Sequence, residues 1–142
     1  MYPLEALLVL HDDALDAAQR AHTETLKSLE AASLQKRACQ QALDAHQTQT
    51  RTPQPHPTTA AEAQTQHAWQ VRRREEATLL LHELEAAQRN EQARQTEEAA
   101  AHVRLREALS QRQSADAHHE GWKQGVQQAA NMVEERETEE RR

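Results

Sequence analysis

Thr50-Arg51-Thr52-Pro53-Gln54-Pro55-His56-Pro57 is the one stretch of this 142-residue chain that no helix can cross. Three prolines on alternate positions remove backbone donors and push the residues before them out of the α region. The next residues, Thr58-Thr59-Ala60-Ala61-Glu62, carry the signature of a helix start. Thr59 as N-cap with Glu62 three positions on forms a capping box, in which each side chain satisfies a backbone N–H that the helix leaves unpaired. Outward in both directions, Ala, Leu, Gln, Glu and Arg dominate, all good helix formers. Pro3 suits a first helical turn. The expectation is an all-α chain: helix over 3–49, a Pro-rich turn over 50–58, and a second helix over 59–140. Gly121 and Gly125, each costing about 1 kcal/mol in a helix interior, mark a possible break near 121–125.

Composition excludes a thick core. Hydrophobic residues make up 37%, aromatic residues only 2%, with no Phe and one Tyr. A compact domain of this length needs large aromatic side chains to fill its interior. The 28% charged content and the Ala/Glu/Gln/Arg bias instead fit a long helix or coiled coil. The mean hydropathy of -1.01 makes disorder the competing reading. High helix propensity, and the confinement of Gly and Pro to short stretches, argue against it.

A short break between two long helices favours an αα-hairpin, so the expected fold is an elongated antiparallel two-helix coiled-coil hairpin. With the turn centred near Pro55, residue i of the first helix faces about residue 110 − i of the second. Leu26 and Leu29 then meet Leu84 and Leu79 to Leu81, while Leu4, Leu7 and Leu8 meet Val103 and Leu105. Asp12, Asp13, Asp16 and His22 face the polar run Gln88 to Glu98. Two periods compete within the first helix. Leu8, Leu15, His22, Leu29, Lys36 and Leu43 recur every seven residues; Leu15 to Leu26 and Ala18 to Leu29 suggest eleven. Mixed periods give a shallow or nearly straight supercoil, and so thin a seam leaves the hairpin marginally stable.

Several function classes are disfavoured. The net charge is -6, and Glu residues intersperse the Arg clusters along the chain, so no nucleic-acid partner is expected. The lone Cys39 points to a reducing compartment. The apolar start, Met1 to Leu10, lacks a basic flank and is read as neither a signal peptide nor a membrane segment, so no direct membrane insertion is expected. Nine histidines occur without a His-Glu-x-x-His or a cysteine cluster, and His118-His119 point to different helix faces. No metal and no cofactor is expected. Without a nucleophile elbow or phosphate-binding glycine loop, no catalytic residue is named and the chain is not read as an enzyme.

Partner contact remains. Trp69 with Arg72, Arg73 and Arg74 lies near the hairpin tip, and two readings stand: a solvated charged face with Trp69 closing the seam, or a contact patch, since Trp and Arg are enriched at hot spots. Tyr2, Leu4, Leu7 and Leu8 offer more apolar surface than one narrow seam buries. Trp122 and Val126 belong to an expected overhang beyond Ala108, with Val126, Ala129, Ala130 and Val133 as an uncovered stripe.

The opening Tyr2-Pro3-Leu4-Glu5-Ala6-Leu7-Leu8-Val9-Leu10 resembles the start of the type III secretion stalk proteins (the YscO/SctO family, related to flagellar FliJ). Size, the two-helix plan and the composition extend the resemblance over the chain. His11-Asp12-Asp13 departs from it, standing where the family often carries basic residues. The resemblance implies a central stalk: a cytoplasmic protein, peripheral to the bacterial inner membrane, monomeric when free. It would bind the hexameric type III secretion ATPase ring and couple it to the membrane export gate protein, with export chaperones as further partners. On that picture Leu4, Leu7, Leu8, Trp122 and Val126 lie toward the ring, and Trp69 with Arg72 to Arg74 toward the gate. The alternative is a generic cytosolic coiled-coil scaffold or adaptor, in the form of a homodimer.

Overall fold

The computed structural model describes residues 1–142 and contains two helices and no strand: α1 (Glu5–Thr50) and α2 (Ala60–Glu140). The chain is an all-α two-helix hairpin. It divides into two compact units, Met1–Glu24 with Ala99–Arg142 and Thr25–Glu98. In each unit a segment of α1 runs antiparallel to a segment of α2.

The seven-residue period decides which face of α1 is covered. Leu8, Leu15, His22, Leu29, Lys36 and Leu43 are all buried or half-buried, and so is the interleaved series from His11 through Ala18, Thr25, Ala32 and Cys39 to His46. Leu26 is 44% exposed, so the eleven-residue alternative does not describe the seam. α2 carries the matching stripe, from Leu80 through Ala87, Arg94, Ala101, Ala108 and Ala115 to Trp122, interleaved with Leu84, Glu91, Glu98, Leu105, Arg112 and His119. Two series each spaced by seven are the a and d positions of a coiled coil. Many are alanine, and small side chains allow close approach of the helices without bulky filling. That is how a chain nearly free of aromatic residues covers a face.

In the unit Thr25–Glu98, Cys39 and Leu43 pack on Leu84 and Ala87, with Leu80 alongside. Ala32 is also buried. Lys36 Nζ donates to Glu91 Oε1 at 3.0 Å across the helices. His46 is buried, with its Nε2 3.3 Å from Glu76 Oε2 and without a hydrogen-bond partner. Arg73 Nη1 reaches Gln49 Oε1 at 3.2 Å.

These pairs correct the expected register. Gln49 meets Arg73, His46 meets Glu76, and Lys36 meets Glu91, roughly a dozen residues further along α2 than a hairpin centred at Pro55 would place them, or about 18 Å of helix. The linker explains the offset. Its alternate prolines hold it extended at about 3.1 Å per residue, twice the rise of a helix. Gln54, Pro55, His56 and Pro57 line a groove with Thr65, Gln66 and Trp69, so the linker runs beside the first turns of α2. Those turns lie past the end of α1. The leucine pairing changes accordingly: Leu84 covers Cys39 and Leu43 in place of Leu26 and Leu29, and of the run Leu79 to Leu81 only Leu80 faces inward.

The cap at the start of α2 forms as a variant of the expected box. Glu62 N–H donates to Thr59 Oγ1 at 3.2 Å, which makes Thr59 the N-cap. The Glu62 carboxylate reaches one residue further back, accepting from both the N–H and the hydroxyl of Thr58 at 2.8 Å. Thr59→Ala is expected to cost about 1 kcal/mol, read as a lower urea midpoint with an unchanged slope.

Acid should loosen the same unit. The Thr58 backbone N–H, followed by the Thr58 hydroxyl, holds the Glu62 carboxyl below its ordinary value of 4.5. Lys36, through its hydrogen bond, does the same for Glu91. A depressed carboxyl pKa contributes stability that is fully present above the ordinary value and is lost as the pH falls through the lower folded value. Unfolding between pH 5 and pH 2, roughly the carboxylate range, should therefore flatten in Glu91→Gln, measured by circular dichroism.

In the unit formed by Met1–Glu24 and Ala99–Arg142, Ala101 is buried and Tyr2 reaches His118. Arg112 bridges Asp12 on α1 and Asp116 on its own helix. His22 and His102 face each other with ring centroids 5.4 Å apart. The expected partners of Leu4, Leu7 and Leu8 were Val103 and Leu105; Val103 is instead exposed, and the first turns of α1 lie against Ser110 to His118. Asp12 likewise meets Arg112 and not the run Gln88 to Glu98, and His22 faces His102.

α2 is continuous through Gly121 and Gly125, with no positive φ. The break considered near 121–125 is absent, because a glycine weakens a helix without ending it unless the backbone turns left-handed. A Cβ at either position meets nothing within 4 Å. Gly121→Ala and Gly125→Ala should each raise helix stability by about 0.8–1 kcal/mol, seen as slower amide exchange over residues 117–130.

Candidate functional site

The structure separates the sequence-selected residues into those that build a surface and those that present one. Tyr2 builds. It is only 7% exposed, because its ring lies 4.4 Å from that of His119 and 5.2 Å from that of Trp122. Its hydroxyl lies 2.6 Å from His118 Nδ1. Sequence reasoning set His118 and His119 aside as pointing to different faces. Both touch Tyr2, since the ring of one residue seats between two adjacent positions of α2. No spacing signal could have revealed this, because the partner lies 116 residues away in the chain.

Trp122 was expected on an uncovered overhang. The register offset brings Tyr2 onto it instead, and it is half-buried. Leu4 and Leu7 present a surface: they are 40% and 43% exposed and, with Leu8, Ser110 and Ser114, line a groove of about 350 Å³. Val126 and Val133 continue the seven-residue stripe beyond Trp122 and are about half exposed, as is Met132 beside them. These residues are apolar surface that the chain leaves open in this unit.

In the other unit, Trp69 is half-buried against the linker, with the guanidinium carbon of Arg73 5.2 Å above its ring. Arg73 also contacts Glu76 at 3.3 Å and Gln49. Trp69 and Arg73 thus close the end of the seam, whereas Arg72 and Arg74 are exposed. A cation stacked on an indole is worth about 0.5–1 kcal/mol at an exposed site.

No helix is long and apolar enough to cross a membrane. The chain matches no protein-family model, none of the curated proteins and no solved structure. The class that the structure defines is an antiparallel two-helix coiled coil.

Proposed function

We propose that this chain is the central stalk of a type III secretion ATPase complex, a non-catalytic cytoplasmic coiled coil that binds the hexameric ATPase ring and couples it to the membrane export gate. The observation that carries the reading is the seat of Tyr2 on His119 and Trp122, which organises the opening stretch Tyr2 to Leu10 next to the open residues Leu4 and Leu7. That stretch is the one that resembles the stalk family. Tyr2 and Trp122 act by fixing the surface, and Leu4, Leu7, Leu8 and Val126 contact the ring. In the unit Thr25–Glu98, Trp69 and Arg73 close the end of the seam, and Arg72 and Arg74 beside them contact the gate protein. An asymmetric helix pair inside a ring of six equivalent subunits biases which subunit holds nucleotide, as a differential ligand shifts any equilibrium. Polar contacts suit shifting engagement, since they set specificity and rate more than affinity. Export chaperones are further candidates for the open surfaces.

The test is steady-state ATP hydrolysis by a purified type III ATPase with and without the chain. Stimulation that Leu7→Asp or Val126→Asp abolishes, while leaving helicity intact, is the expected result. An unchanged rate, with no co-elution, ends the proposal. One observation favours a second reading. The stripe Val126, Ala129 and Val133 continues the seam face uncovered, as a homodimeric scaffold or adaptor would require. Light scattering separates the two: the stalk is a 16.2 kDa monomer when free, and the scaffold is a dimer.

A further inference from the structure

We propose that His22 of α1 and His102 of α2 form an interhelical binding site for a first-row transition-metal dication, with Zn²⁺ the best fit. The inference stands apart from the stalk reading and concerns a different part of the hairpin. The two imidazoles come from opposite helices. Their rings face each other at 5.4 Å between centroids, and donor nitrogens lie within 4.8 Å of one another. Zinc binds imidazole nitrogen at about 2.0–2.1 Å in a tetrahedral array, which sets the two nitrogens roughly 3.3 Å apart. A side-chain adjustment of about 1–1.5 Å closes that difference, well within the reach of half-buried or exposed rings.

Position supports the assignment as much as distance does. His22 stands in the seam series between Leu15 and Leu29, where a coiled coil ordinarily places an apolar residue. Two imidazoles from the two helices leave the remaining tetrahedral positions to water, as in open zinc sites. Imidazole donors favour Zn²⁺, Ni²⁺ and Cu²⁺ over Mg²⁺ and Ca²⁺, which take all-oxygen shells. Within the chain, spacing alone hides the pair, since the ligands lie on different helices and form no short motif. Coordination across the seam would clamp α1 to α2, so the metal acts as a staple for a thin interface.

The experiment uses the full chain and ZnCl₂, with CoCl₂ as a spectroscopic stand-in whose visible absorption reports four-coordinate geometry. The expected result is saturable binding of one equivalent per chain, a rise in melting temperature with zinc, and an oligomeric state by light scattering that zinc does not change. His22→Ala and His102→Ala should each weaken binding by at least about tenfold and remove the thermal shift. Both variants should remain helical without metal, because alanine is the better helix former. His119→Ala, which alters a histidine stacked on Tyr2, should bind as the unaltered chain does. The proposal is overturned by undiminished binding in either His22→Ala or His102→Ala, by no saturable binding at one equivalent, or by zinc that binds only while joining two chains.

Discussion

Leu43→Ala should lower the urea midpoint of the Thr25–Glu98 unit more than any other single truncation of an aliphatic side chain. Leu43 is 5% exposed and belongs to the one cluster of buried residues in that unit, with Cys39, Leu84 and Ala87. Removing a buried leucine side chain costs the transfer free energy of the lost atoms together with the cavity left behind, about 2–5 kcal/mol in a thick core. The seam here is one layer deep, and its neighbours can collapse toward the gap, so the expected cost is about 2–3 kcal/mol. Even that is a large share of the stability of a small helical hairpin. Leu26→Ala is the control. Leu26 is 44% exposed and off the seam, so its loss should cost less than about 0.5 kcal/mol. Equal effects of the two truncations would show that the covered face of α1 follows the eleven-residue period.

Tyr2→Ala should release the first turns of α1 from α2. The Tyr2 ring covers His119 and Trp122, and its hydroxyl pairs with His118 Nδ1. Aromatic truncation at a buried site costs about 3–5 kcal/mol. Tyr2 precedes the first helical residue and its loss can be absorbed by local fraying, so the expected effect is local opening, not global unfolding. The readout is Trp122 fluorescence in a Trp69→Phe background: a red shift and easier quenching in Tyr2→Ala. Tyr2→Phe keeps the ring and removes only the hydroxyl, so it should lose about 0.5–1.5 kcal/mol, the net worth of one hydrogen bond, and leave Trp122 covered. If the stalk reading holds, Tyr2→Ala also weakens ring binding, although Tyr2 itself is buried.

How much of the candidate surface was legible can be argued residue by residue. Leu4, Leu7 and Val126 were readable as open apolar positions because the first and last turns carry more aliphatic surface than a narrow seam can use. Tyr2 and Trp122 were readable as important but not as partners of each other. Their contact depends on the helix register, which a hairpin centred at Pro55 misplaces by about a dozen residues. Arg73 illustrates the same limit. Its place in a charged run hid its stacking on Trp69 and its bond to Gln49.

The sequence by itself determined that the chain is helical, that it is interrupted once, and that the second helix is capped at Thr59. These are local properties, set by propensity, proline sterics and a hydrogen bond between residues three apart. Only the tertiary structure decided that the seam follows the seven-residue period and not the eleven-residue one, and where the two helices meet. In a leucine-rich coiled coil the large side chains announce the seam. Here alanines, Lys36, Glu91 and Arg112 occupy it, while Leu26, Leu79 and Leu81 stand outside. Small and charged residues carry no hydrophobic signal in the sequence, and their place in the seam emerges only when the opposite helix supplies close packing or an ion-pair partner. The length of an extended linker then fixes the register, because its rise per residue is twice that of the helix it runs beside.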